Sequence, residues 1–464
     1  MKIGLDPGVF GALSLNIAEL SRSRAFSPRR RGALARFALG AAFGAFACAA
    51  PALAIDGFGQ AEWAQRYDSD AELSVQRSNT PLLSPRTLAA TEQAIERYKG
   101  IVANGGWNKV PAGATLRIGS SGSAVLALRK RLAITGDLDP SASRSGVYDS
   151  YVEAGVKRFQ ARHGLIPTGV ATAQTIAVMN IPADYRLHQL ETNIVRLRTF
   201  AANLGSRFVE ANIPAAMVDT VENDTVITSH RAGVGRIDRQ SPVMQTRALD
   251  VDFNPYWTVP ASIIRKDLIP RMQANPNYLT ENHIRIYDRN NNEVQPDQIN
   301  WHSMDAVNYR FREDPSTENS LGVVRININN PYGVYMHDTP EKGVFGDDFR
   351  FVSSGCMRLQ NVRDYVAWLL KNQPGWDRDH IDQVIASGER VDVKIDPPVN
   401  VYWVYITAWG QPDGVVQFRE DIYQRDGFST ANAGAAPVIQ PVAQDGVNRG
   451  VNRGADLDPG PDDR

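Results

Sequence analysis

Apolar residues recur at helical spacing in the first half of the chain and alternate with polar ones in the second. Val125, Leu128 and Leu132 fall at i, i+3 and i+7, and Val152, Val156 and Phe159 at i, i+4 and i+7, which marks one apolar face on each of two helices. A shorter helix is expected over 172–179, with Gly119, Gly122, Gly146, Gly164 and Gly169 punctuating the turns. Leu88 to Lys99 has helix-forming composition before an Ala103-Asn104-Gly105-Gly106 break, and 185–200 reads as a further helix. Alternation then takes over at 208–213, 215–219, 225–231 and 248–253, with turns expected at Gly233-Val234-Gly235 and Asn254-Pro255. Residues 261–308 break this rhythm with a helix from Ile263 to Met272 and polar loops near Asn275-Pro276-Asn277, the pattern of a lid-like insertion. Strands resume at 322–328 and 333–337. Asn361-Val362-Arg363-Asp364 resembles a capping box opening a helix over 362–370, and 391–395 and 399–407 read as closing strands. The fold class is therefore multidomain α+β: a β-rich domain with a helical lid insertion, and a small three-helix domain.

The two ends of the chain read differently. Arg22, Arg24, Arg29, Arg30, Arg31 and Arg36 precede a small and apolar run from Phe37 to Ala50, and Ala52-Leu53-Ala54 fits a small-x-small cleavage site. Residues 1–54 are thus expected to be a signal peptide directing export to a periplasm or cell-wall space. Arg30-Arg31 leaves the general and twin-arginine routes both open. The apolar run is too short for a comfortable membrane span, so none is expected in the mature form. From Ser429 onward Ala, Gly, Pro and Asn dominate and Gly-Val-Asn-Arg repeats at 446–449 and 450–453, so 426–464 is expected to be a disordered tail.

With 464 residues there is room for two or three domains. A net charge of −1, with no basic stripe in the body of the chain, argues against a nucleic-acid partner. The chain has two cysteines, and cleavage would remove Cys48, leaving Cys356 alone in Ser353-Ser354-Gly355-Cys356-Met357-Arg358. A lone thiol in an exported protein must be explained by packing or by chemistry. Nineteen positions earlier, His337 ends an alternating run, Tyr335-Met336-His337-Asp338-Thr339-Pro340, which would set it at the rim of a sheet. An imidazole activates a thiol, and amide N–H groups from Gly355 to Met357 are candidates to face a developing oxyanion. The polar neighbours Ser353, Ser354 and Arg358 argue against an apolar core site for Cys356. Papain-type enzymes place the cysteine before the histidine and flank it with Gln and Trp, a context missing here. The histidines at 163, 188, 230, 283, 302 and 380 are scattered and form no metal-ligand spacing with Cys356; no metal and no cofactor is implied.

At these residues the chain resembles the L,D-transpeptidase catalytic-domain family, whose hallmark is a His strand followed by a Ser/Thr-His-Gly-Cys-aliphatic-Arg turn. Ser354 stands where many members carry a second histidine. The Ser-Ser-Gly-Cys form, His-Asp-Thr-Pro, Asn254-Pro255-Tyr256-Trp257-Thr258-Val259-Pro260 and Asn319-Ser320-Leu321-Gly322 are similar to the larger periplasmic branch. Leu116-Arg117-Ile118-Gly119-Ser120-Ser121-Gly122, Gly146-Val147-Tyr148-Asp149 and Gly164-Leu165-Ile166-Pro167-Thr168-Gly169 resemble a peptidoglycan-binding-like domain. The resemblance implies a lead-in at 55–113, a peptidoglycan-binding-like domain at 114–183 and a catalytic domain at 185–425. It implies Cys356 as nucleophile and His337 as base. Gly355, Met357, Arg358 and Ser354 become oxyanion or substrate-binding candidates. Partners would be peptidoglycan stem peptides, a donor tetrapeptide and an acceptor amine, joined 3→3 with release of D-Ala. What orients His337 is open, a backbone carbonyl being one candidate. Carboxypeptidase exchange, amide hydrolysis, attachment of a protein lysine and a non-catalytic wall-binding role remain alternatives.

Overall fold

The computed structural model describes residues 78–113, 115–200 and 204–427. The expected signal peptide, the first part of the lead-in and the expected tail beyond 427 lie outside them; the tail does not start at 426, because Asp426 is buried and pairs with Arg196 at 2.7 Å. Among the described residues no helix is long and apolar enough to cross a membrane, and no group of His, Cys, Asp and Glu has the arrangement of a metal site.

The helical half comprises α1 (Pro85–Ala103), α2 (Ser123–Ile134), α3 (Ser150–Arg162), α4 (Ala173–Met179) and α5 (Ala183–Phe200). Side-chain caps start three of them: Ser84 accepts from Thr87 N, Asp149 from Val152 N and Thr172 from Thr175 N. The apolar faces read from the sequence meet in one core, where Val125, Leu128, Leu132, Val152, Val156 and Phe159 are all fully buried with Ile176 and Met179. Helices α1 and α5 form a second layer. Their Tyr98, Ile95, Leu190 and Ile194 pack on Val416 and Phe418, which lie near the far end of the chain.

The rest of the described chain is built on a nine-stranded sheet: β1 (Arg207–Asn212), β2 (Met217–Glu222), β3 (Thr225–Gly235) and β4 (Met244–Phe253) begin it. A small lid sheet follows, from β5 (Trp257–Thr258), β6 (Ile284–Tyr287), β7 (Glu293–Val294) and β8 (Arg310–Glu313). Then β9 (Val324–Ile328), β10 (Met336–His337), β11 (Phe351–Ser353), β12 (Met357–Leu359) and β13 (Val391–Val404) complete the main sheet, and β14 (Ala408–Gly410) with β15 (Val416–Phe418) makes a hairpin. The main order is β11-β3-β12-β10-β9-β4-β13-β1-β2, and β2 also pairs with β3, so the ladder closes on itself through β3. Most pairs are antiparallel; β10 with β12, β1 with β13 and β11 with β3 are parallel.

Several expectations need correction. Gly233 and Gly235 lie inside β3, not in a turn. A Cβ on Gly233 would press on Val352 and Arg358, and one on Gly235 would collide with the backbone of Arg239, so both are glycine for close approach. The two closing strands are one long strand, β13, with a register irregularity between Lys394 and Val399 that absorbs Pro397 and Pro398. Only Met336 and His337 of 333–337 are paired as a strand. Asn361 caps nothing through its side chain; it is left-handed, with φ +51°, so it redirects the backbone into the helix Val362–Leu370. The lid was expected to be helical with polar loops. Its helical turns between Ala261 and Ala274 are present, but four short strands bind it together around Trp257, Leu268, Leu279 and Phe311. Each strand is only two to four residues long, too short to leave a clear alternation in the sequence.

Candidate active site

His337 ends β10, which lies between β9 and β12 in the interior of the sheet. The parallel β10–β12 register sets Met336 against Met357 and His337 against Arg358, and Met357 N donates to Tyr335 O at 3.1 Å. Carried back one step, this register sets Cys356 beside Tyr335, one diagonal from His337. His337 and Arg358, opposite each other in that register, share a face of the sheet, and Cys356 immediately precedes β12. The tertiary fold thus brings together the two residues that the sequence separates by nineteen positions.

The sequence argued against an apolar surrounding for Cys356 because of its polar neighbours. The structure overturns that inference: Cys356 is fully buried within the main hydrophobic core, beside Met357, Tyr335 and Val334. Its polar neighbours are buried too, because protein groups replace water around them. Ser353 Oγ donates to Cys356 O at 2.7 Å and accepts from Gly355 N at 3.1 Å. Ser241, fully buried, donates to Gly355 O at 2.9 Å and accepts from Gly235 N at 2.9 Å. Gly355 itself has φ +122°, which favours glycine on backbone grounds alone.

These bonds also revise the oxyanion assignment. The N–H of Met357 is spent on the sheet and that of Gly355 on Ser353, so neither points freely at a bound carbonyl. Ser354 accepts from Arg239 Nη1 at 2.9 Å, and the same guanidinium grips Asp267 of the lid at 2.6 and 2.9 Å. Arg239 therefore ties the cysteine turn to the lid. Arg358 is buried and pairs with Glu341 at 3.2 Å, a contact that holds the loop between the histidine and the cysteine.

The histidine is oriented by its own neighbour. His337 Nδ1 bonds to the carbonyl of Asp338. A carbonyl only accepts, so Nδ1 carries the proton and Nε2 keeps its lone pair. Nε2 is buried and has no hydrogen-bond partner among the described residues. Burial, with the nearby charges of Arg358, Arg325 and Lys342, holds the imidazole well below the usual histidine range, so it rests neutral. Asp338 is held in turn: its carboxylate accepts from Val323 N at 3.1 Å and pairs with Lys342. Gly322, at φ +61°, leaves no room for a side chain against that carboxylate, which accounts for the glycine in Asn319-Ser320-Leu321-Gly322. Tyr335 meets His337 edge-on at 5.8 Å, with the Arg325 guanidinium 4.2 Å over the Tyr335 ring.

Residues 206–393 match the model of the L,D-transpeptidase catalytic domain, and 121–179 that described as "Putative peptidoglycan binding domain". Over these residues the chain is similar to L,D-transpeptidase catalytic domains. A protein of Haemophilus influenzae described as "Putative L,D-transpeptidase" is 34% identical over 239 residues, which cover 51% of this chain and 48% of that one. The chain thus spans about half the length of the curated relative it matches. Among solved structures, an L,D-transpeptidase from Stackebrandtia nassauensis matches at 13% identity and TM-score 0.26, covering 66% of this chain and 98% of that one. One from Xylanimonas cellulosilytica matches at 15% identity and TM-score 0.21, covering 63% and 99%.

Of the other histidines, His163 stacks on Phe159 at 3.8 Å and His230 is held by Thr228 and the Gln360 carbonyl. His302 is exposed. Trp257 is a core residue of the lid. Sequence reading missed Arg239, Ser241, Asp338 and Glu341. Asp338 adjoins the histidine and was within reach of inference. Arg239 and Ser241 lie in an aperiodic loop and carry no local signal.

Proposed function

We propose that the protein is an exported peptidoglycan L,D-transpeptidase that forms 3→3 crosslinks through a Cys356 thioester. The observation that supports this most is the buried Nε2 of His337, without a partner among the described residues, its tautomer set by Asp338, on a strand paired with the one that Cys356 leads into. A buried polar atom left without a partner is costly, which makes it a candidate working group. Nε2 takes the thiol proton as sulfur attacks the carbonyl of the third residue of a stem tetrapeptide. The C–N bond to the terminal D-Ala breaks, and the imidazolium returns its proton to the leaving amine. The side-chain amine of a second stem then attacks the thioester, His337 removes its proton, and the thiol is regenerated as the amide forms.

The matched wall-binding module supports a peptidoglycan substrate and a location outside the cytoplasm. The test is incubation with disaccharide-tetrapeptide, with Cys356→Ala as control, followed by mass spectrometry. A Cys356-dependent dimer with loss of D-Ala is the expected result. D-Ala loss without a dimer would replace crosslinking by hydrolysis or exchange, and no reaction, with retention on sacculi, by a binding role.

A further inference from the structure

A cleft of about 230 Å³ opens where the helical module meets the catalytic sheet, and neither Cys356 nor His337 lines it. One wall is the Gly164–Pro167 turn of the module. Another is the sheet surface at Asp219, Ser229 and Arg231. The third is the β14–β15 hairpin with Trp409 and Gln417. Asp348 and Arg350, from the connector between His337 and Cys356, close the fourth side. The walls are held by the fold itself. Ile166 N donates to Asp348 Oδ1 at 2.6 Å, Arg350 bonds to the Ala215 carbonyl at 3.0 Å, and Arg231 to the Phe345 carbonyl at 2.7 Å.

The lining selects a chemical class. Three arginines face two carboxylates, so neither a polyanion nor a cation is favoured. Trp409, Ile166 and Met217 supply apolar wall, while amides and hydroxyls supply donors and acceptors around it. A ring with apolar faces and polar edges fits this mixture; the volume, below the roughly 300–1,000 Å³ of drug-sized sites, has room for one ring. We propose that this cleft holds one N-acetylated hexosamine ring of a glycan strand, bridging the wall-binding module and the catalytic domain. The choice of an N-acetylated sugar rests on the peptidoglycan reading above. A glycan seated there touches the connector that carries Asp348, so sugar-bearing substrate is held by both modules at once.

The test is titration of the full chain carrying Cys356→Ala with N-acetylglucosamine tetramer, followed by calorimetry. Ser229→Trp fills the cleft from the half-buried face of β3, and Gln417→Ala removes one polar edge without enlarging a side chain. Saturable binding that weakens at least tenfold in Ser229→Trp and severalfold in Gln417→Ala is expected. The same variants in the active protein should raise KM for disaccharide-tetrapeptide while leaving kcat, and turnover of sugar-free tetrapeptide, unchanged. Absence of tetramer binding, or equal binding in both variants, overturns the proposal. Cleft-dependent binding by a protein that releases no D-Ala would instead sink the transpeptidase reading and leave the cleft standing.

Discussion

The helical module and the catalytic sheet both bury polar side chains, and they treat them in opposite ways. In the module every such group named here is matched. Arg162 and Asp137 form a buried pair with contacts at 2.6 and 2.7 Å, and Gln160 bonds to Gly169 N, Thr168, Val170 and Thr175. His163, also buried, is spent on the Phe159 carbonyl. In the sheet, Ser353, Ser241 and Asp338 are satisfied just as thoroughly, yet the His337 imidazole keeps one nitrogen unpaired among the described residues. Burial of polar groups alone thus says little about function. An unpaired atom on an ionisable ring whose other nitrogen is fixed by a carbonyl says more, because the fold bears its desolvation cost with no structural return.

The sharpest test of that contrast is Cys356→Ala, which should abolish turnover and acylation by a carbapenem while leaving the unfolding midpoint within a few degrees of wild type. His337→Ala should cost about 10²- to 10⁴-fold in kcat, measured as D-Ala release, with far-ultraviolet circular dichroism unchanged. Full activity in that variant would remove the base.

On the module side the expected effect is on stability. Asp137→Asn breaks a buried ion pair and should cost about 3–5 kcal/mol in denaturant unfolding of the module, with turnover of sugar-free tetrapeptide unaltered. An unchanged unfolding curve would mean the pair is idle. A smaller effect is expected from Arg239→Ala, which releases Asp267 of the lid from Ser354. About a tenfold loss in kcat/KM, through misplacement of the cysteine turn, would show in steady-state kinetics.

The last prediction concerns pH. The folded His337 imidazole titrates well below the 6.5 of a free one, so the unfolded chain binds more protons at that site as pH falls beneath 6.5. That site's contribution to stability is therefore complete above 6.5 and lost progressively below it. Wild type should lose more stability than His337→Gln between neutral and acid pH, and the acid limb of the kcat profile should lie below 6.5. Parallel stability curves for the two proteins would count against a neutral buried imidazole.

Much of this molecule was legible before folding. The apolar faces of α2 and α3, the His-bearing strand and the glycine before Cys356 follow from local chemistry: helical periodicity, alternation and a φ that suits glycine. The lid sheet and the β14–β15 hairpin escaped because strands of two to four residues are stabilised by partners distant in sequence. Gly233 and Gly235 looked like turn residues and proved to be points of close approach, a distinction that depends on Arg239 and Arg358 arriving from elsewhere.

By itself, then, the sequence determined which two side chains carry the candidate chemistry, since a thiol beside a Gly turn and a histidine ending a strand are local facts. Only the tertiary structure decided that both lie in a dry core, that the Asp338 carbonyl sets the tautomer, and that Arg239 joins the cysteine turn to the lid. Those properties depend on desolvation and on contacts between segments far apart in the chain, and they exist only once the sheet has closed.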